Sequence, residues 1–267
     1  MRLNRIMAIV LRQLYLLRSS AARVVPLFAW VAVDILLWGF ISKYLNTVAS
    51  TGLNFFSILL GAILLEDFFT RVMHGVTTAF LEDVWSRNFL NFFASPLTIG
   101  EYLGGLVITS IGTSAIGLGV MLALAGAAFG FSFAVYGVAF LPFLVVLFIT
   151  GIAFGIFATA MVLRLGPASE WFVWPIPAMI SPFVGVFYPV ATLPAWMQYV
   201  SKMLPLSYVF EGMREVVSHG TFSAAMLFIG GCIAILYVVV ACWTFSVVHK
   251  YAVRTGLIAR YSAESVG

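Results

Sequence analysis

The sequence predicts an all-helical polytopic membrane protein. Of its 267 residues, 63% are hydrophobic and 9% are charged, whereas a soluble domain usually carries about 25% charged residues. The apolar residues form runs that reach the ~20 residues a helix needs to cross the hydrocarbon of a bilayer. Because a soluble fold could not bury this much apolar surface, an ordinary soluble domain is excluded.

The net charge of +4 does not indicate a nucleic-acid-binding protein. Such proteins cluster their basic residues on one face, whereas the basic residues here are scattered between the apolar runs, as is typical of membrane topology. Cys232 and Cys242 both lie in the last apolar run. They cannot form a disulfide within one helix, because about 15 Å of helical rise separates them.

Residues 1–23 predict an amphipathic helix that lies in the membrane interface. Arg5, Arg12 and Ser19 fall on one side of this helix, and we expect the arginines to point toward lipid headgroups. A merely basic cytoplasmic tail is the alternative, and a secretory signal is excluded because no cleavage site follows a short apolar core. The apolar residues on the other side are Leu3, Met7, Val10, Leu14, Leu17 and Ala21.

Six spanning segments are predicted within residues 24–248, and residues 249–267 then form a cytoplasmic tail. Each segment is near or above the length required to cross the hydrocarbon. Their approximate ranges are 24–42, 53–80, 102–128, 135–163, 171–189 and 224–248.

The basic residues predict the orientation of these segments. If the N-terminus is cytoplasmic, only Lys43, Lys202 and Arg214 lie outside, so the positive-inside rule places both termini in the cytoplasm. The longest outer segment is then 190–223, which is apolar yet broken by prolines. The basic residues on the inner side are Arg2, Arg5, Arg12, Arg18, Arg23, Arg87, Arg164, Lys250, Arg254 and Arg260.

No motif predicts a cofactor or metal on this chain. A phosphate-binding loop needs a Gly-Lys pair, but the lysines follow Ser42, Ser201 and His249. The three histidines are far apart and no C-x-x-C pattern occurs, which argues against zinc. "GTSA", with Ser114, faintly resembles a rhomboid serine motif, so an intramembrane enzyme using His74 is an alternative. A membrane assembly protein without transport is another.

Charged residues inside the predicted spans mark a candidate path. Asp34 lies in the first span, and Glu66, Asp67 and Arg71 lie in the second. Intramembrane charges are costly and usually face a protein interior or a water-filled route. Asp67 and Arg71 are four residues apart and can pair along one helix face. Internal pairing that locks helices together is the alternative to a role in transport.

The third span carries small residues at four-residue spacing. Gly105, Thr109, Thr113 and Gly117 lie along one face. Such a smooth ridge predicts close helix packing in lipid.

The stretch "LEDVWSRNFLNFFASP", Leu81 to Pro96, predicts a short amphipathic helix over residues 81–95 on the cytoplasmic side. Its acidic residues lie in the first turn, where they suit the helix dipole. The helix could rest on lipid or insert into a soluble partner. The residues that we single out for such a contact are Glu82, Asp83, Trp85, Arg87 and Phe89.

These features together resemble the permease subunit of type-2 ABC exporters, over nearly the whole chain. The first matching region is "LEDVWSRNFLNFFASPLTIGEYLGG", residues 81–105. The second and more specific one is "SPFVGVFYPVATLPAWMQYVSKMLPLSYVFEGMR", residues 181–214. Family members usually have asparagine where this chain has Leu204, a minor departure. The shared motifs do not choose among drugs, polysaccharides and lipid-linked glycans.

The resemblance implies a dimer in a bacterial inner membrane, coupled through residues 81–95 to a separate nucleotide-binding subunit that holds ATP and Mg²⁺. It implies short re-entrant helices in residues 190–223 that cap a path between protomers. We expect Arg214 there to pair with Glu211 or with a backbone carbonyl. The partners would be a second copy, the ATPase subunit and lipid, and the substrate a hydrophobic or amphipathic compound or a lipid-linked glycan. The outer-gate residues would be Phe187, Tyr188, Pro189, Pro194, Trp196, Pro205, Tyr208 and Arg214.

Overall fold

A computed structural model describes residues 2–19, 21–48, 55–86, 92, 95–130, 137–138 and 140–257. Within these ranges every regular element is a helix, as the composition predicts. The α-helices are α1 Leu3–Ser19, α2 Ala21–Val48, α3 Phe55–Trp85, α4 Ile99–Phe129, α5 Phe140–Leu165, α6 Glu170–Val173, α7 Ile176–Val184, α8 Ala195–Met203, α9 Pro205–His219 and α10 Ala224–Arg254. Short 3₁₀ turns lie at Pro167–Ser169 and Val190–Thr192.

Four of the described helices contain stretches long and apolar enough to cross a membrane, as expected of a membrane protein. They are Ala29–Val48 in α2, together with α4, α5 and α10. Helix α3 is equally long, with 31 residues, but it carries three charged side chains near its centre. The apolar stretches therefore agree with the predicted class, while the count of six spans stays a prediction.

The fifth predicted span, 171–189, is not one continuous helix. It consists of α6 and α7, separated by a turn at Trp174 and Pro175. Proline has no backbone N–H, so it interrupts the helical hydrogen-bond ladder. Gly185, with a φ of 74°, then ends α7 in the left-handed region that glycine adopts readily.

The long helices pack closely around α3. Glycines of α5 face it, and a Cβ added at Gly151 would lie 2.8 Å from Val72. On the other side, the Ser110 hydroxyl of α4 donates to the Val72 carbonyl at 3.0 Å. These close approaches are typical of helices whose contact residues are small. Helix α3 therefore lies between α4 and α5, and its central residues are inside the protein.

Large apolar side chains also cover the outer faces of the bundle. On α10 the exposed residues include Phe228, Leu236, Val239 and Trp243, while Ala241 and Phe245 are buried. A helix that is apolar on its inner and outer sides is typical of a membrane environment.

Helix α1 turns two of its arginines toward the bundle, whereas the sequence predicts that they face lipid headgroups. Ile9 is buried against Gly105 of α4, and Arg5 and Arg12 turn inward to carboxylates. The expectation that these two arginines point toward lipid headgroups is therefore wrong. The reason is electrostatic, since each has a carboxylate within the protein. The outward face of α1 is apolar and includes Leu3, Met7, Leu11 and Leu14.

Candidate functional site

A cluster of charged residues lies in the middle of α3. The Arg71 Nη2 atom is 3.8 Å from the Asp67 Oδ2 atom, which confirms the pairing predicted from their four-residue spacing. Both side chains are largely buried. The aliphatic part of Arg71 lies over Gly117 of α4, where a Cβ would approach the arginine Cδ to 2.6 Å. The small-residue ridge of α4 thus makes room for the arginine.

Two further helices bring polar groups to this cluster. The Asp34 carboxylate of α2 lies within electrostatic reach of both Glu66 and Asp67. The Ser181 hydroxyl of α7 lies beside the Glu66 carboxylate. The four path residues that the sequence predicts, Asp34, Glu66, Asp67 and Arg71, are therefore brought together. Ser181 joins them without any sequence signal that singles it out. We call these five residues the polar cluster.

Several buried polar atoms in and beside the polar cluster make no hydrogen bond within the described part of the chain. They include Asp67 Oδ2 and Ser181 Oγ, and also His74 Nε2 and Glu170 Oε2. Buried polar atoms in folded proteins are almost always hydrogen-bonded, because a lone one costs about 1–3 kcal/mol. Asp67 and His74 belong to α3, Ser181 belongs to α7, and Glu170 is the first residue of α6.

An aromatic pair lies on the same face of α2 as Asp34. Trp38 follows Asp34 by four residues, so the two side chains are neighbours on the helix. The Trp38 ring stacks on Phe187, with ring centroids 5.2 Å apart and planes 25° apart. Phe187 belongs to the chain just after α7. This aromatic contact therefore joins α2, one helical turn from Asp34, to the start of the segment predicted as the outer gate.

The Arg214 side chain fastens α9 to the end of α7. Its guanidinium donates to Glu211 and, at 2.6 Å, to the Gly185 carbonyl. The expected contact is confirmed, and it uses both of the partners that we considered. Glu211 also accepts a hydrogen bond of 3.0 Å from the Val190 N–H. Burial lowers the pKa of Arg214, and the Glu211 carboxylate partly offsets this effect.

The prolines of the outer segment begin short helices rather than merely interrupting a long one. Pro194 immediately precedes α8, and Pro205 is the first residue of α9. Proline suits the first helical position, where its missing N–H would have no partner anyway. Pro189 precedes the 3₁₀ turn at Val190–Thr192. The apolar, proline-rich stretch therefore folds as helices joined by sharp corners.

The predicted gate aromatics hold these corners together. Tyr188 donates to the Pro182 carbonyl at 2.8 Å, and Tyr208 donates to the Lys202 carbonyl at 3.0 Å. Trp196 contacts Phe183 edge-to-face at 6.2 Å and remains mostly exposed.

The far end of α3 differs from the expected short helix over 81–95. Helix α3 continues to Trp85, so residues 81–85 are its last turns. Asp83, which we single out for a partner contact, has 0% side-chain exposure and is not on the surface of this chain. Glu82 is half-buried and Trp85 is exposed. Arg87 and Phe89 lie outside the described residues.

Asp83 instead holds α1 against the bundle. It forms an ion pair with Arg12 of α1 and accepts a 2.7 Å hydrogen bond from the Tyr102 hydroxyl of α4. The Arg12 guanidinium also lies 4.9 Å from the centre of the Phe92 ring. One carboxylate therefore joins α1, α3 and α4.

A second carboxylate repeats this arrangement at the start of α4. Glu101 forms a capping box with Thr98, which is the motif that satisfies free N–H groups at a helix start. Glu101 also accepts a hydrogen bond from the Arg2 N–H at 2.7 Å and lies 3.4 Å from Arg5 Nη1. We call the contacts of Asp83 and Glu101 with α1 the α1 clamp. The clamp thus attaches α1 to the end of α3 and to the start of α4.

The residues of the enzyme alternative are not joined. Ser114 is buried in α4, and its Oγ has no hydrogen-bond partner among the described residues. His74 packs on Trp174 at a ring distance of 4.6 Å. A serine nucleophile needs its base within hydrogen-bond reach, and the described contacts contain no such bond.

Comparison with known proteins adds no relative. No protein-family model and no curated protein matches the chain. The described residues also contain no group of His, Cys, Asp or Glu that could hold a metal ion. The proposal for its function therefore depends on the sequence motifs and on the contacts described above.

Proposed function

We propose that this protein is the permease subunit of an ATP-driven exporter of the type-2 ABC class. The polar cluster, set between helices that are otherwise apolar, is the observation that carries this proposal. Buried charges in a membrane protein are costly and usually mark a route for a substrate or ion. In this proposal α2, α3 and α7 line the route, and two copies of the chain enclose it.

The outer end of the route is closed by residues 190–223. Helices α8 and α9 enter the membrane from outside and return, and Leu204, the single residue between them, is buried. Non-helical backbone is tolerated at membrane depth only under such conditions. The contacts of Arg214 with Glu211 and Gly185 support this arrangement, because they fix α9 to the end of α7. Movement of α7 would then move the closing helices with it.

The inner end is the docking region for the ATPase subunit. Trp85 is exposed at the end of α3 and is a suitable apolar anchor, since aromatic residues dominate many interfaces. Asp83 would act indirectly, by holding α1 against α3. A displacement of the chain between α3 and α4 by the ATPase subunit would therefore move α3 directly, and it would move α1 through the α1 clamp.

ATP and Mg²⁺ belong to the partner in this proposal, because the sequence contains no phosphate-binding loop. The substrate is a hydrophobic or amphipathic compound or a lipid-linked glycan. The protein would lie in the bacterial inner membrane with both termini in the cytoplasm.

Purification of the tagged chain from its native membrane tests this proposal. We expect a nucleotide-binding subunit to co-purify and the complex to hydrolyse ATP with vanadate sensitivity. The chain expressed and purified by itself should show no ATPase activity. Robust hydrolysis by the homogeneous chain would refute the proposal, as would a native preparation that contains no ATPase subunit.

A further inference from the structure

We infer that the C-terminal ends of α5 and α10 together form a binding site for an anionic phospholipid. The site consists of Arg164 from α5 and of Lys250, Tyr251 and Arg254 from α10, and we call these four residues the basic corner. The inference goes beyond the proposed function, because it requires only that α5 and α10 cross a membrane.

Helices α5 and α10 lie side by side and run in the same direction. The Phe154 and Tyr237 rings are in contact along the two helices, with centroids 5.7 Å apart. Nearer the C-terminal ends, the Arg164 guanidinium lies 4.4 Å from the centre of the Tyr251 ring. The two ends therefore lie at the same level of the bundle.

This level corresponds to the lipid headgroups. Helix α10 has 31 residues and is therefore about 46 Å long, whereas the hydrocarbon of a bilayer is about 30 Å thick. Lys250 and Arg254 are the only lysine, arginine or acidic residues in α10, and Arg164 is the only one in α5. Because all three lie in the last turns of their helices, these turns are the part that projects into the headgroup region.

The charge of the basic corner suits an anionic headgroup. Neither α5 nor α10 contains Asp or Glu. The first acidic residue after Arg164 is Glu170 of α6, and its Oε2 atom is buried. Basic pockets between helix ends at the membrane surface bind anionic lipids, whereas a zwitterionic headgroup carries no net charge to match them.

The contact between Arg164 and Tyr251 orients the guanidinium for a phosphate. Stacking on a ring fixes the plane of the guanidinium, whose N–H groups lie in that plane and can bind two phosphate oxygens at once. A side chain that is already oriented loses less conformational entropy on binding. Both residues are also exposed, so a headgroup can reach them.

An exposed apolar stripe continues from the basic corner along α10. Trp243 and Val247 lie on the same face of the helix as Tyr251 and Arg254, because they are spaced by three or four residues. Trp243 is 67% exposed and Val247 is 49% exposed. A phospholipid with its phosphate at the basic corner would lay its acyl chains along this stripe. The stripe therefore favours a lipid over a free phosphate ion.

Native mass spectrometry of the purified full-length chain tests the inference. The chain in detergent is titrated with equimolar dioleoyl phosphatidylglycerol and dioleoyl phosphatidylcholine, which have the same acyl chains and differ in headgroup charge. Phosphatidylglycerol should bind at least about tenfold more tightly, because several basic residues attract it. Glycerol phosphate at the same concentration has the phosphate without the chains and should not displace it.

Variants of the basic corner locate the site. Arg164→Gln and Arg254→Gln should each weaken phosphatidylglycerol binding by about fivefold, as expected for one basic residue near an anionic lipid. Tyr251→Ala should weaken it by about two- to fivefold although it removes no charge, because the ring no longer orients Arg164. Gel filtration of each variant identifies a folding defect, and Arg254→Gln keeps the test valid if Arg164→Gln misfolds.

Lys202→Gln is the matched control, because it also removes one positive charge beside a tyrosine ring, that of Tyr199 at 5.6 Å. Lys202 belongs to α8, and its carbonyl accepts a hydrogen bond from Tyr208. Tyr208 in turn packs against Gly230, near the start of α10. The control therefore lies at the opposite end of α10 from the basic corner, and it should bind phosphatidylglycerol as the wild type does.

Four results would overturn the inference: equal binding of the two phospholipids, displacement by glycerol phosphate, unchanged affinity in the basic-corner variants, or an equal loss in Lys202→Gln and Arg164→Gln. The last result would indicate a general attraction between net charge and anionic lipid rather than a site. None of these results bears on the proposed function, which co-purification of an ATPase subunit tests separately.

Discussion

The α1 clamp predicts an asymmetry between two substitutions that remove the same ion pair. Arg12→Gln leaves the Asp83 carboxylate, which has 0% side-chain exposure, without its ion-pair partner, whereas Asp83→Asn leaves an arginine that is 27% exposed. Loss of one partner of a buried pair costs about 3–5 kcal/mol because the remaining charge is stranded. A partly exposed arginine can instead turn to water, so its loss of a partner costs less, about 1–2 kcal/mol.

Hydrogen exchange at the α1 amides measures this cost directly, because exchange reports local opening. Each 1.4 kcal/mol corresponds to a tenfold change in an equilibrium constant. Arg12→Gln should therefore speed exchange in α1 by about 100-fold or more, and Asp83→Asn by about 5–30-fold. The amides of α10, for which no hydrogen bond or ion pair with the clamp is described, serve as the internal control.

The double variant Arg12→Gln with Asp83→Asn completes the cycle. It removes the stranded carboxylate, so exchange in α1 should be slower than in Arg12→Gln alone. Exchange that is unchanged in Arg12→Gln, or that worsens additively in the double variant, would refute the role of the clamp in holding α1.

Three further experiments test other parts of the account. Arg214→Ala should destabilise the outer helices by about 1–3 kcal/mol, because the Glu211 carboxylate and the Gly185 carbonyl lose a largely buried donor. An unchanged melting temperature of the variant would show that the contact is dispensable. Trp85→Ala with Phe89→Ala should abolish the stimulation of ATP hydrolysis by substrate while the protein still inserts, and normal coupling would exclude these anchors. Gly105→Leu should release α1 from α4, since a Cβ there would lie 2.6 Å from Ile9. Gly100→Leu, where a Cβ would have nothing within 4 Å, is the control and should leave α1 in place. Equal protection of the α1 amides from hydrogen exchange in both variants would contradict this packing.

Local patterns predict several features of this protein correctly. The Asp67–Arg71 pair follows from four-residue helical spacing, and the packing at Gly105 and Gly117 follows from the small-residue ridge. The contact of Arg214 with Glu211 follows from a three-residue spacing within α9. Each depends on neighbours along a single helix, whose geometry is fixed by the α-helical repeat.

Contacts between distant parts of the chain are what the sequence does not predict. Arg12 and Asp83 are 71 residues apart, and nothing in either surrounding motif links them. For this reason the sequence does not predict that Arg5 and Arg12 turn inward. It does contain "TIGE" at Thr98–Glu101, a recognisable capping signature, but that signature does not indicate that Arg5 lies beside Glu101. The continuation of α3 through Trp85 was missed because charged residues at positions 82 and 83 resemble a new helix start.

Water access to position 66 tests the central claim most directly, because a route for substrate must be reachable from an aqueous side. Glu66→Cys is introduced after Cys232 and Cys242 have been replaced by serine, and membrane vesicles containing the complex are treated with a membrane-impermeant maleimide. Position 66 should react in at least one nucleotide state, while Val239→Cys on the exposed apolar face of α10 should stay protected by lipid. Complete protection of position 66 in every nucleotide state, together with full transport by Glu66→Gln, would contradict the account and assign Glu66 to helix packing.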